Sequence, residues 1–192
     1  MIAIVKYNAG NVRSVLNALQ RLGVEATVTD DPALLKSADK VIFPGVGEAA
    51  TAMAYLQARG LDQVLRELRQ PFLGICLGMQ LMCAHSEEGD TECLGIFPER
   101  VRRFPAGEKI PHMGWNEIEQ LSGPLFHAVP EKSDLYFVHS YHVERGPDMV
   151  ATTRYGIDFA AAIQKDNFYA VQFHPEKSGT VGSDILKNFL NL

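Results

Sequence analysis

Short apolar runs alternate with amphipathic stretches through the first half of the chain. Ile2–Tyr7 is a nearly continuous apolar run, the pattern of a strand covered on both faces. Asn8-Ala9-Gly10-Asn11 is turn chemistry. Val12, Val15, Leu16, Leu19 and Leu22 then recur at helical spacing, and Gly23 suits the residue just past a helix end. Glu25–Thr29 predicts a second strand closed by Asp30-Asp31-Pro32, and Lys40–Phe43 a third that runs into Pro44-Gly45-Val46-Gly47. An alanine-rich segment to Arg59, then Leu61, Val64, Leu65 and Leu68 after Gly60, predicts two helical pieces. Phe72–Ile75 is the fourth strand. This alternation calls for a parallel sheet with helices on both faces.

The second half changes character. Val101–Phe104, Trp115–Ile118, Leu135–His139, Val150–Tyr155, Phe159–Gln164 and Tyr169–Phe173 are short strand candidates separated by Gly, Pro, Asp and Asn. Several leave no room for a helix between them, so antiparallel pairs and hairpins are expected. Ser183–Leu190 closes the chain as an amphipathic helix. No linker or repeat interrupts residues 1–192, and the expectation is one α/β domain built on a single open mixed β-sheet flanked by helices.

Composition narrows the function. At 192 residues and 46% hydrophobic, the chain can bury a sizeable core. A net charge of −5 leaves no basic excess to neutralise phosphates, which argues against nucleic acid. Arg100, Arg102 and Arg103 would be split between the faces of a strand and read as a solvated hairpin. Three cysteines without C-x-x-C or Cys/His ligand spacing form neither a disulfide framework nor a zinc site, so no metal is expected. A reduced, cytoplasmic setting fits best. No apolar stretch is long enough to span a membrane.

The candidate chemistry sits where the fourth strand ends. In Gly74-Ile75-Cys76-Leu77-Gly78 a cysteine lies between glycines at i−2 and i+2, and a helical pattern follows through Met79 and Gln80. That is the layout of a nucleophile elbow, with glycines where the sharp strand-to-helix turn leaves no room for a Cβ. A free thiol is only slightly ionised at neutral pH, so Cys76 needs a base, and the base needs an orienting partner. Among His85, His112, His127, His139, His142 and His174, the last stands out. It ends an apolar strand, as active-site residues of open α/β sheets do, and Pro175 fixes a turn that can bring Glu176 back to the imidazole. Cys76, His174 and Glu176 are therefore the candidate nucleophile, base and orienter. Cys83 reads as packing and Cys93 as a loop residue of unassigned function. The Leu77 N–H supplies one oxyanion donor, and the Val46-Gly47 backbone can aim a second. Gly45-Val46-Gly47 lacks the third glycine of a dinucleotide fingerprint and the Gly-Lys-Ser/Thr of a P-loop.

Gly74–Gln80, Phe173-His174-Pro175-Glu176 and Pro44–Gly47 together resemble a class I, triad-type glutamine amidotransferase, a flavodoxin-like fold, in motifs that span most of the chain. The resemblance implies attack of Cys76 on the glutamine side-chain amide, a γ-glutamyl thioester, release of ammonia, and no cofactor. Pro111–Asn116, Tyr136–Tyr141, Lys6–Asn11 and Glu176-Lys177-Ser178 further resemble the glutaminase subunits of imidazole glycerol phosphate synthases. It would follow that Gly47, Gln80 and the Ser140-Tyr141 backbone hold L-glutamine. Asn11, Trp115, Tyr136 and Lys177 would lie at the contact with a (β/α)₈-barrel cyclase subunit in a heterodimer. The competing expectations are a glutaminase serving another synthase, of the anthranilate or purine pathways, and a stand-alone thiol hydrolase.

Overall fold

The computed structural model describes residues 1–8 and 11–192; the predicted turn residues Ala9 and Gly10 lie outside them. In chain order the first half runs β1 (Ile2–Val5), α1 (Val12–Arg21), β2 (Ala26–Thr29), α2 (Pro32–Ser37), β3 (Lys40–Gly45), α3 (Ala49–Ala58), α4 (Leu61–Glu67), β4 (Phe72–Cys76) and α5 (Leu77–Met82). The second half adds β5 (His85–Ser86), β6 (Thr91–Glu92), β7 (Arg100–Arg103), β8 (His112–Ile118), β9 (Ser133–His139), β10 (Tyr141–Val143), β11 (Met149–Tyr155), β12 (Ile157–Lys165), β13 (Phe168–Val171) and α6 (Gly179–Leu190).

The strands form one open mixed sheet in the order β2-β1-β3-β4-β13-β12-β10-β7-β5-β6, with β11 also pairing β12. β1 to β4 and β13 are mutually parallel, and antiparallel pairing begins at β12. One addition to the expected single sheet stands beside it, the antiparallel pair β8–β9. A second departure is α2. Asp30-Asp31-Pro32 is more than a turn: the Asp31 carboxylate accepts from the Ala33 and Leu34 N–H groups, and Pro32 opens six helical residues.

The apolar alternation divides the core between the two faces. Ala3, Val5, Val41, Phe43 and Phe72 pack on one side with Met53 and Leu56 of α3 and Leu65 of α4. Ile4, Ile42, Leu73 and Ile75 pack on the other with Val15 and Leu19 of α1 and Ile185 and Phe189 of α6. With both faces covered, β4 is buried along its whole length and delivers its last residue, Cys76, from the middle of the sheet. Arg102 of β7 is compensated, pairing with Glu87 at 2.9 Å and Glu144 at 2.7 Å.

Candidate active site

The turn at Cys76 is set by what its neighbours cannot carry. Cys76 has φ 53° and ψ −107°, a backbone conformation rare for a side-chain-bearing residue and costing on the order of 1–3 kcal/mol. The strand–helix packing over-determines it. A Cβ on Gly78 would overlap the Phe43 carbonyl of β3, and one on Gly74 would press on Met82 Sδ and the α5 backbone. Only glycine at both places lets α5 fold this tightly back over β3 and β4.

Two neighbouring strands bring the remaining groups to the sulfur. Parallel pairing sets Val171 of β13 beside Ile75 and Gly45 of β3 beside Cys76. Gln172 therefore lies next to Cys76, and its Nε2 is 3.6 Å from Sγ. His174 follows two residues later, and the short 3₁₀ turn Pro175–Lys177 returns Glu176 to it. His174 Nδ1 and Glu176 Oε1 are 2.8 Å apart with both side chains fully buried. The turn is tied to β9: the His174 N–H donates to the Tyr136 carbonyl at 2.8 Å, while the Ser178 hydroxyl donates to the His174 carbonyl at 2.6 Å. The imidazole thus cannot swing away.

Burial pushes the His174 imidazole towards its neutral form, but the charge on the Cys76 sulfur and the bonded Glu176 carboxylate overcome that and raise the pKa to about 10. His174 Nε2, the nitrogen not used by Glu176, is buried and makes no hydrogen bond among the described residues. A protonated His174 beside the sulfur is the partner that a nucleophilic cysteine requires.

A cavity of about 230 Å³ opens over the sulfur. That is below the ~300 Å³ at which drug-sized ligand sites begin, and suits an amino-acid side chain. Val46, Gly47, Leu77, Gln80, Ser140 and Tyr141, all expected from the sequence, line it. Gln80 acts from within the wall. It is 4% exposed, and its Nε2 donates to the Tyr141 carbonyl at 2.9 Å and to Gln172 Oε1 at 3.0 Å. Gly47 has φ 133° and nothing near the place of a Cβ, so the Val46–Gly47 peptide has room to turn. The strand below it is pinned, because the buried Tyr7 hydroxyl donates to the Pro44 carbonyl at 2.8 Å.

Two residues here leave no signal in the sequence, and a third makes a contact that the sequence does not predict. Gln172 reads from the sequence only as a strand residue. Glu88 lines the cavity with its Oε2 accepting from the Ala49 N–H at 2.8 Å, and burial raises its carboxyl above the ordinary range. Its setting, Ser86-Glu87-Glu88-Gly89-Asp90, looks like any solvated acidic loop. Asn11 was expected at a partner contact, and it does more: its Nδ2 donates to Glu176 Oε1. The same nitrogen lies 3.3 Å from His174 Nδ1, but that nitrogen donates its own proton to Glu176, so the amide serves the carboxylate.

The other expected contact residues gather beside this triad. Trp115 faces Tyr136 across the β8–β9 pair with ring centres 6.0 Å apart, and Lys177 Nζ stands 5.9 Å from the Tyr136 ring. Trp115 is 57% exposed and Met113 62%, a protruding apolar pair on one strand. Cys83 is buried at the end of α5 and burial raises its thiol well above the ordinary range; Cys93, also buried, is pushed up to about 12. Neither shares the setting of Cys76. Among the described residues no helix is long and apolar enough to cross a membrane.

Comparison with known proteins bears on the same chemistry. Residues 3–192 match the family model described as glutamine amidotransferase class-I. The chain is 59% identical over 194 residues to imidazole glycerol phosphate synthase subunit HisH of Bacteroides fragilis, covering all of this chain and 99% of that protein. It is 47% identical over 199 residues to the subunit of the same name from Dehalococcoides mccartyi, covering all of this chain and 97% of that one. A crystal structure of a glutamine amidotransferase superposes with a TM-score of 0.78 at 22% identity, covering all of this chain and 98% of the other, which establishes the shared fold.

Proposed function

The chain belongs to the class-I glutamine amidotransferase family, and from that footing we infer that it is the glutaminase subunit of an imidazole glycerol phosphate synthase, acting in histidine biosynthesis. It hydrolyses L-glutamine to glutamate and ammonia. Residues 1–192 serve as one glutamine amidotransferase type 1 domain. The observation that carries the mechanism is the pairing of a strained, glycine-flanked Cys76 with a buried His174 that the sulfur and Glu176 together hold protonated.

Glutamine enters the cavity with its side-chain amide over Sγ. The rim at Ser140 and Tyr141 and the wall at Gln80 fix its length, and the Glu88 carboxylate receives its α-ammonium. The Cys76 thiolate attacks the amide carbon, and the Leu77 N–H and a donor from Val46–Gly47 hold the oxyanion. His174 gives its proton to the leaving nitrogen, so ammonia departs and a γ-glutamyl thioester remains. The imidazole, now neutral, takes a proton from water as the water attacks the thioester. Glutamate leaves and the ion pair is restored. Glu176 and Asn11 keep the imidazole facing the sulfur throughout.

Ammonia released into neutral water becomes ammonium, which is no nucleophile, so this chemistry works best against an acceptor site that excludes water. The acceptor is a (β/α)₈-barrel cyclase subunit, whose active site lies at the C-terminal end of its strands. There ammonia meets a phosphoribulosyl aminoimidazole-carboxamide nucleotide and yields imidazole glycerol phosphate and aminoimidazole carboxamide ribotide. The exposed Trp115, with Tyr136, Lys177 and Asn11, is the docking side, and the assembly is cytoplasmic. One experiment separates the two halves. In the reconstituted complex, Cys76→Ala removes synthesis from glutamine and leaves synthesis from added ammonium salt. Loss of both activities would refute this division of labour.

A further inference from the structure

An unbroken chain of hydrogen bonds reaches the rim of the cavity from outside it. Asn116 Nδ2 donates to the Arg154 carbonyl at 2.9 Å and lies 3.3 Å from His112 Nε2. His112 Nδ1 is 3.0 Å from His139 Nε2, and His139 Nδ1 is 2.7 Å from the Tyr141 carbonyl. The direction of every link is fixed from both ends. A carbonyl can only accept, so His139 Nδ1 carries a proton. The Arg154 carbonyl and the Glu117 N–H, which donates to Asn116 Oδ1 at 2.9 Å, orient the Asn116 amide so that His112 Nε2 accepts. The remaining proton is on His112 Nδ1 and points to His139 Nε2. Charging either ring would set two donors against each other.

The surroundings agree. His112 is sandwiched between the Phe137 and Tyr155 rings at 5.0 and 4.2 Å, and His139 packs on Phe104 and Phe159 at 5.3 and 5.4 Å. Burial lowers the pKa of His112 to about 4 and of His139 to about 3. The receiving carbonyl also accepts from Gln80 Nε2, so both of its lone pairs are engaged and its peptide plane is fixed.

We propose that His112 and His139 are positioning residues for glutamine binding, a neutral, proton-ordered pair that acts through the Tyr141 carbonyl to set the Ser140–Tyr141 rim. The proposal rests on the reading of this cavity as the glutamine site.

Nitrogen-15 NMR of histidine-labelled wild-type protein at pH 7 is the first test. Both rings are expected neutral with the proton on Nδ1, the minority tautomer of imidazole in water; an Nε2–H form or a charged ring at either position overturns the proposal. Kinetics of the reconstituted complex are the second. His139→Phe keeps the ring and removes the wire, and KM for glutamine should rise at least fivefold, by more than kcat falls. His139→Asn places an amide nitrogen where Nδ1 was and should return KM to within about twofold of wild type. If His139→Phe does not fold, His112→Phe removes the donor to His139 and should shift KM in the same direction. An unchanged KM in a folded Phe variant overturns positioning. A wild-type complex that hydrolyses no glutamine would instead overturn the functional reading, and the ring tautomers tell the two failures apart.

Discussion

His174 and His139 are both buried and sit on adjoining backbone, since the His174 N–H bonds to Tyr136 on the strand that carries His139. One is held charged, with its pKa raised to about 10, and the other neutral, with its pKa lowered to about 3. Burial opposes charge on both. The difference is company. His174 has Glu176 at 2.8 Å on one nitrogen and feels the charge of the Cys76 sulfur. His139 has a carbonyl, a second neutral imidazole and aromatic rings. Two buried histidines can thus be suited to opposite ends, one to the proposed proton carrier and one to the proposed fixed wall, according to the anions within reach.

The comparison can be broken most severely by removing the sulfur. Cys76→Ala deletes the nucleophile and also the largest influence raising the His174 pKa. Glutamine hydrolysis should fall by about 10⁴-fold or more, and an NMR titration should show His174 losing its proton at lower pH while His139 stays neutral. If His174 kept its elevated pKa in this variant, the pairing of the two groups would be wrong. The next largest effect is Glu176→Gln, which leaves the sulfur and removes the orienting carboxylate. Turnover should fall by about 10²–10³-fold, less than for a serine nucleophile because a thiol attacks with less help. A third variant, Asn11→Ala, removes a single donor from Glu176. A charge-assisted hydrogen bond contributes about 1.5–3 kcal/mol. Some of that is recovered from solvent at a half-buried site, so turnover should drop about tenfold with little change in KM.

Much of this was legible in the sequence, and what was not has a physical reason. The parallel half could be read because each apolar run is followed by a helix-period stretch, and Cys76 because a cysteine flanked by glycines at i−2 and i+2 ends such a run. His174 and Glu176 could be paired because only a proline separates them. Gln172, Glu88 and the contact of Asn11 with Glu176 could not. Asn11 meets Glu176 across 165 residues and Gln172 meets Cys76 across 96, contacts that depend on strand order and leave no local trace. The α2 helix did leave one, an aspartate followed by proline, but the same pair also begins turns. The β8–β9 pair was predicted as strands; its separation from the main sheet depends on packing that alternation does not encode.

The last effect bears on stability and not on turnover, and its pH dependence appears only in acid. A histidine whose folded pKa lies below its unfolded value stabilises the fold fully above the unfolded value, near ~6.5, and loses that contribution as the pH falls towards the folded value. For His139 the window runs from about 6.5 down to about 3, and for His112 down to about 4. Within those limits each ring removes up to about 1.4 kcal/mol per pH unit, because the unfolded chain binds the proton and the folded one does not. His174 has the opposite sign. Its contribution is complete below about 6.5 and is lost only as the pH rises towards about 10, so it does nothing to soften the acid side. Urea unfolding from pH 7 to pH 4 should therefore show a steep loss of stability that is shallower in His112→Phe, despite that variant's lower stability at pH 7. Equal slopes in the two proteins would mean that His112 titrates normally in the folded state, and the contrast between the two histidine environments would fail.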